Sequence, residues 1–221
     1  MKQSKLSLFR RSLILAAVSI LFTLLVLYVD RRPVGPLGSL VGMAFLNKPL
    51  ADAIGFHTFW YGLTQGLGLL ALAICAGFAG LGLWQWITRK SLKAVDLRII
   101  LLGGLYTVTI CLYLLFNKLA LNYRPLLMPG ETEPEASFPS SHCMLIVVVM
   151  GACLLMADHY LKASPRLRLI KGLCLVLIAV TVLGRLLSGV HWFTDIIAGV
   201  LISLTLLSAF KAVVQWLVPR K

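Results

Sequence analysis

The sequence predicts an all-α fold: a polytopic membrane protein in which residues 1–221 form a single membrane domain with six transmembrane helices. Three observations carry that prediction. Hydrophobic residues make up 59% of the 221 and charged residues 13%, with a mean hydropathy of +0.91; soluble domains average about 45–50% apolar and about 25% charged. The apolar residues gather into six runs, near 12–29, 58–87, 99–120, 142–160, 170–187 and 194–217, and a spanning helix needs about 20 such residues. The basic residues collect at the ends of those runs.

The first run follows Lys2, Lys5, Arg10 and Arg11 and has the outline of a signal peptide. Its apolar core is long, however, and Asp30-Arg31-Arg32-Pro33 follows where a small-residue cleavage site would stand, so a retained helix is expected. Residues 30–57 contain Gly and Pro and an amphipathic stretch near Leu40–Ile54, which fits either a short interfacial helix or a plain loop. The second run opens among Phe56, Phe59, Trp60 and Tyr61, an interfacial aromatic belt. The third closes on Asn122-Tyr123-Arg124-Pro125. After it comes a loop, Met128–Ala136, with three glutamates and two prolines, a composition of mobile solvated loops that also suits a substrate lid. The fourth run starts directly after Pro139-Ser140-Ser141-His142. The fifth ends near Arg185, and the sixth begins beside His191 and Asp195.

A formal net charge of +13 invites a nucleic-acid reading, but the charges form no continuous basic face with interleaved aromatics. They act as topology signals instead. With both termini cytoplasmic, the inside segments hold Lys2, Lys5, Arg10, Arg11, Arg89, Lys90, Lys93, Arg98, Lys162, Arg166, Arg168, Lys171, Lys211, Arg220 and Lys221. The other side keeps only Arg31, Arg32, Lys48, Lys118, Arg124 and Arg185. This bias predicts that all three polar clusters face the extracytoplasmic side. The five cysteines make no CxxC pair and are read as small buried hydrophobes.

Ionisable groups at a bilayer boundary are costly unless partnered, which makes the clusters candidates for function. His191 and Asp195 are four apart, a spacing that on a helix lets a carboxylate hold an imidazole by a hydrogen bond; a helix-start Asp beside an interfacial His has the same pattern. Arg124 and Arg185 each follow an apolar run on the same side, and two guanidinium forks there suit a phosphate. Each alone is also what a snorkelling arginine looks like. Ser140 reads as an N-cap, and the free N–H groups near Ser141 and His142 form an anion site. His142, titrating near neutrality, suits proton transfer to a leaving group. His57, in the aromatic belt, and His159, at the cytoplasmic end of the fourth run, are read as structural.

Arg124-Pro125, Pro139-Ser140, His142, Arg185, His191 and Asp195 together resemble, at matching spacing, the three-part signature of the type 2 phosphatidic acid phosphatase (PAP2) superfamily. Three positions depart from its pattern. Asn117 stands where the family has lysine, with Lys118 one residue late, a rotation of about 100° on a helix. Ser141 replaces a glycine, and Gly184 replaces a serine. The resemblance implies a lipid phosphatase of a bacterial plasma membrane, acting at the outer leaflet. Its substrate would be undecaprenyl pyrophosphate, phosphatidylglycerol phosphate, phosphatidic acid or diacylglycerol pyrophosphate. It implies His191 as nucleophile, Asp195 as its holder, and His142 as acid and then base. Arg124, Arg185, Ser140, Ser141 and Lys118 would be phosphate ligands. No metal and no other cofactor is implied, and cationic side chains can neutralise a phosphoryl group in a metal's place.

Two other readings stay open. A lipid phosphotransferase would share the intermediate but pass it to a second lipid. A transporter would place its ionisable groups near mid-membrane rather than at helix ends. A metalloenzyme built on His142 and His191 lacks an HExxH-like pair.

Overall fold

In the computed structural model, residues 5–128, 130–161 and 164–218 are described. The parts of the charge argument resting on Lys2, Lys162, Arg220 and Lys221, and the loop proline Pro129, lie outside the described residues. Seven α-helices form among the described residues: α1 (Lys5–Tyr28), α2 (Ala44–Ile54), α3 (Thr58–Arg89), α4 (Leu97–Leu119), α5 (Ser141–Tyr160), α6 (Pro165–Leu187) and α7 (Phe193–Leu217). All but α2 are long and apolar enough to cross a membrane, with mean hydropathies of 1.9 to 2.3. The six expected runs are therefore six helices. The largest differences lie at the basic ends: α1 starts at Lys5 and α6 at Pro165, because lysine and arginine are good helix formers and the helices continue past the apolar stretch.

The helix starts follow from local chemistry. Pro165 opens α6, where its missing N–H costs nothing, and Ser164 Oγ accepts from Leu167 N at 3.3 Å. Asp96 caps α4 by accepting from Arg98 N at 2.9 Å. The segment left open between loop and helix is a helix, α2, following a turn whose Gly42 N–H donates to Asn122 Oδ1 at 3.1 Å.

Helix α5 is the axis of the bundle. In its most apolar window 61% of residues are buried, against 39% or less in the other spans. Its faces pack on α3 and α6 through Ala71, Ile146, Val149, Met150 and Cys174, and on α4 and α7 through Ile99, Leu102, Leu105, Val148, Ala152 and Phe210. Helix α1 lies along α7, where Ser12 Oγ donates to Ser208 Oγ at 3.1 Å and Ser19 Oγ meets Thr205 Oγ1 at 3.0 Å. Small hydroxyl residues let two helices approach closely in hydrocarbon, where no hydrophobic effect holds them together. Large apolar side chains such as Leu13, Ile20, Leu72, Ile110 and Leu175 are exposed on the outer surface, as lipid-facing residues are.

Candidate active site

The end of α4, the starts of α3, α5 and α7 and the end of α6 meet at one end of the bundle, and the three polar clusters meet with them. Two close backbone approaches set this junction. Ser140 N donates to the Asp195 carbonyl at 2.9 Å, joining the starts of α5 and α7. Gly199 permits it, since a Cβ there would sit 2.9 Å from the Ser140 carbonyl oxygen. The Ser140 hydroxyl makes no capping bond, so the expected side-chain cap is absent although the residue stands at the N-cap position, buried.

Asp195 is fully buried. Its Oδ1 accepts from Asn122 Nδ2 and its Oδ2 from the Trp192 backbone N–H, both at 3.1 Å. His191 Nδ1 lies 3.6 Å from Oδ2, within reach of an ion pair but beyond a hydrogen bond. This corrects the expectation of a direct bond from four-residue spacing. Helix α7 begins at Phe193, so His191 precedes it, and the Asp195 carboxylate, three residues past the N-cap Trp192, turns back to satisfy that residue's N–H.

Arg185 is the largest surprise. A boundary arginine ordinarily reaches for water, yet this one is fully buried in the last turn of α6. Its Nη1 donates to Thr64 Oγ1 at 3.2 Å, its Nη2 faces His191 Nε2 at 3.2 Å, and its Cζ lies 5.6 Å from the centroid of the Tyr61 ring. Guanidinium has only donors, so Nε2 of His191 is the acceptor and the ring proton is on Nδ1, toward Asp195. Burial, then the charges of Arg185 and Arg124, hold the His191 imidazole well below its ordinary pKa; the nearby Ser137 carbonyl acts the other way. The ring is therefore neutral at pH 7, with its lone pair on Nε2.

Arg124 is held differently. Its backbone N–H donates to the Glu135 carbonyl at 2.9 Å, and its Nε lies 2.9 Å from Glu135 Oε2, off the line of the N–H bond. Of the two loop readings, solvated or lid, the structure places one loop carboxylate, Glu135, directly against the site.

Two cavities adjoin here. A polar one of about 500 Å³ is lined by Tyr113, Asn117, Tyr123, Arg124, Glu135, Ser141 and His191, among others. An apolar one of about 400 Å³ runs between α3, α4 and α5 past Gly68, Leu72, Ile110, His142 and Leu145. Tyr113 and Ser141 line both. His142, next to the shared Ser141, lines the apolar one, its ring packed on Gly68, where an added Cβ would lie 3.0 Å from it. Lys118 is exposed and lines neither cavity, whereas Asn117 faces the polar one. Thus Arg124, Ser140, Ser141, His142, Arg185, His191 and Asp195 are brought together and Lys118 is not. His57 sits outside, its Nε2 2.9 Å from the Ile54 carbonyl, and His159 meets the Tyr160 ring edge-on.

Four residues of this site had no role of their own assigned from the sequence: Thr64, Asn117, Asn122 and Glu135, the last three being read only as part of the first cluster's surroundings or of the candidate lid loop. Asn122 carried a signal, standing inside the first cluster; Thr64, near the start of a spanning run, carried none. Among the described residues no three His, Cys, Asp or Glu side chains gather as a metal-holding group.

Residues 118–219 match the family model of the PAP2 superfamily. The whole chain also aligns with a solved structure, the transmembrane PAP2-type phosphatidylglycerolphosphate phosphatase from Bacillus subtilis. The TM-score is 0.61 at 18% identity, over 98% of each chain. No curated protein matches the sequence. The resemblance read from the three clusters is borne out, and the fold is that of a transmembrane PAP2 protein.

Proposed function

We propose that this chain, whose residues 118–219 belong to the PAP2 superfamily, is a membrane lipid phosphatase working at the extracytoplasmic surface through a phosphohistidine. One observation carries the reading: a polar cavity holding Arg124 and His191 adjoins an apolar groove lined by His142, the two sharing Tyr113 and Ser141. A substrate with a phosphate head and a hydrocarbon tail fits that pair of spaces. On α3 the groove runs from Gln65 to Leu72, roughly 10 Å at about 1.5 Å per residue, room for part of an acyl or isoprenoid chain.

His191 Nε2 attacks the terminal phosphorus, and its bond to the leaving oxygen breaks, the lipid oxygen of a monoester or the bridging oxygen of a pyrophosphate. That oxygen takes a proton from His142. Water then attacks phosphorus and gives a proton to His142, the phosphorus–nitrogen bond breaks, and inorganic phosphate leaves. Before attack Arg185 Nη2 must exchange the Nε2 lone pair for a phosphoryl oxygen. This frees the nucleophile and neutralises charge in a single move. Arg124, the Ser140 hydroxyl and the backbone N–H groups at the start of α5 complete the oxyanion cradle. Asp195, held by Asn122 and Trp192, stabilises the imidazolium side of the intermediate. Lys118 is assigned no contact. The cradle is built from guanidinium and N–H donors, and we assign the reaction no metal.

The basic bias of the opposite ends favours cytoplasmic termini and a site facing the outer leaflet of a bacterial plasma membrane. The reaction is tested by offering purified protein phosphatidic acid, phosphatidylglycerol phosphate, diacylglycerol pyrophosphate and undecaprenyl pyrophosphate, with and without EDTA. Release of inorganic phosphate unaffected by the chelator is expected. Transfer of labelled phosphate to a second lipid would replace hydrolysis with phosphotransfer.

A further inference from the structure

The Arg185 guanidinium owes its place to a residue from another helix. Thr64 is fully buried in α3, 121 residues away in sequence. Its hydroxyl proton is spent on the backbone, 2.8 Å from the Trp60 carbonyl and 3.0 Å from that of Tyr61. A hydroxyl has one proton and two lone pairs, so what remains is an acceptor aimed at Arg185 Nη1. Nothing else described accepts from that nitrogen. On the same side Gly184 leaves room for the threonine: a Cβ there would lie 2.8 Å from Thr64 Cγ2 and 3.2 Å from Trp60 Cε3. Tyr61, one turn before Thr64, places its ring beneath the guanidinium carbon.

We propose that Thr64 is a positioning residue for the phosphate-binding Arg185: it pins Nη1 so that Nη2 can turn from the nucleophile's lone pair to an oxygen of the incoming phosphoryl group. The proposal rests on the phosphatase reading. Its mechanism is geometric. A guanidinium held at one corner by Thr64 and from below by Tyr61 can re-aim its free corner from His191 to the substrate without leaving the site. Without the hydroxyl, the buried cation keeps its charge but loses its direction.

The test compares three substitutions by kcat/KM, by inhibition with orthovanadate and by melting temperature in detergent. Vanadate adopts the five-coordinate shape of phosphorus in flight and so reads oxyanion placement without turnover. Thr64→Ser keeps the hydroxyl and is expected to stay within about twofold of the natural protein. Thr64→Val keeps the shape and loses the acceptor. A hydrogen bond to a charged group is worth about ten- to a hundredfold, and that loss is expected in kcat/KM, with vanadate inhibition weakened in parallel. Should Thr64→Val fail to fold, Thr64→Ala carries the same test.

Gly184→Ser is expected to lose activity by collision, and Thr64→Ser in the same chain to restore part of it by removing the methyl it meets. Thr64→Val or Thr64→Ala with natural kcat/KM and natural vanadate inhibition would overturn the proposal, as would a loss of melting temperature with vanadate inhibition intact. Natural protein that releases phosphate from no lipid phosphate would sink the phosphatase reading instead.

Discussion

The two arginines of the site are opposites. Arg185 rises from the end of a helix, is fully buried, and is held by a threonine, a histidine and an aromatic ring supplied by α3 and by the turn before α7. Arg124 stands just past α4 and meets a loop carboxylate, Glu135, whose side chain is 43% exposed. One half of the site is fixed by packed helices, and the other closes by a loop that water reaches. In phosphoryl transfer the fixed half suits the reacting atoms, where misplacement is most damaging. The loop half suits the entering headgroup, which needs room. The helix half is thus pre-organised for chemistry, and the loop half is adjustable for recognition.

The sharpest way to break this contrast is at its fixed centre. His191→Gln is expected to cut kcat by at least about a thousandfold, the scale of losing a nucleophile, with the protein still inserted and folded. Full phosphate release by that variant would remove the helix half from the reaction. Next comes the residue that ties the halves together. Asn122→Ala leaves both the Asp195 carboxylate and the Gly42 N–H short of a partner. The expected cost is about 1–3 kcal/mol of stability, typical for buried groups left unsatisfied, read as a lower melting temperature together with a tenfold or greater fall in kcat. A change in kcat alone would mean that the network serves alignment and not stability.

A third effect is read through pH. The folded protein keeps His191 neutral because burial and then Arg185 and Arg124 oppose its proton, whereas the unfolded chain takes that proton up below about 6.5. Protons bound only by the unfolded state lower stability as pH falls. Melting temperature should therefore drop between pH 7 and 5, and drop less steeply in His191→Gln; equal slopes would place the acid sensitivity elsewhere. The smallest effect belongs to the loop. Glu135→Gln should change stability by under about 1 kcal/mol, the usual scale for a partly exposed pair, and move KM more than kcat. A large loss of kcat would show that Glu135 orients Arg124 for chemistry, and the contrast between the halves would dissolve.

That same division marks what could be read from the sequence. The spans were legible because hydrocarbon imposes long apolar runs, and the clusters because polar residues stand out against them. Their meeting at one end followed from charge placement alone. The His191–Asp195 distance was not legible, because four-residue spacing means contact only on a helix and α7 starts two residues after His191. Nor was Thr64, a small polar residue in a spanning run whose importance comes from a partner 121 residues away. The displaced lysine was visible as an irregularity, with Asn117 in its place, but only the structure showed that Asn117 lines the polar cavity and Lys118 does not. Helix α2 was ambiguous because Pro49 within it and the glycines that flank it, Gly42 and Gly55, obscure a short amphipathic pattern.

The apolar groove has a kinetic corollary. It is bordered by Leu69, Leu72 and Ile110, all exposed on the outer flank of the bundle, while the polar cavity holds the charged groups. An enzyme loaded through such a flank meets its substrate in two dimensions. Its rate should follow the mole fraction of substrate in the membrane or micelle and not the amount per litre, so adding inert detergent at constant bulk substrate should slow it. The two products should then part into different phases, the dephosphorylated lipid sideways and the phosphate outward.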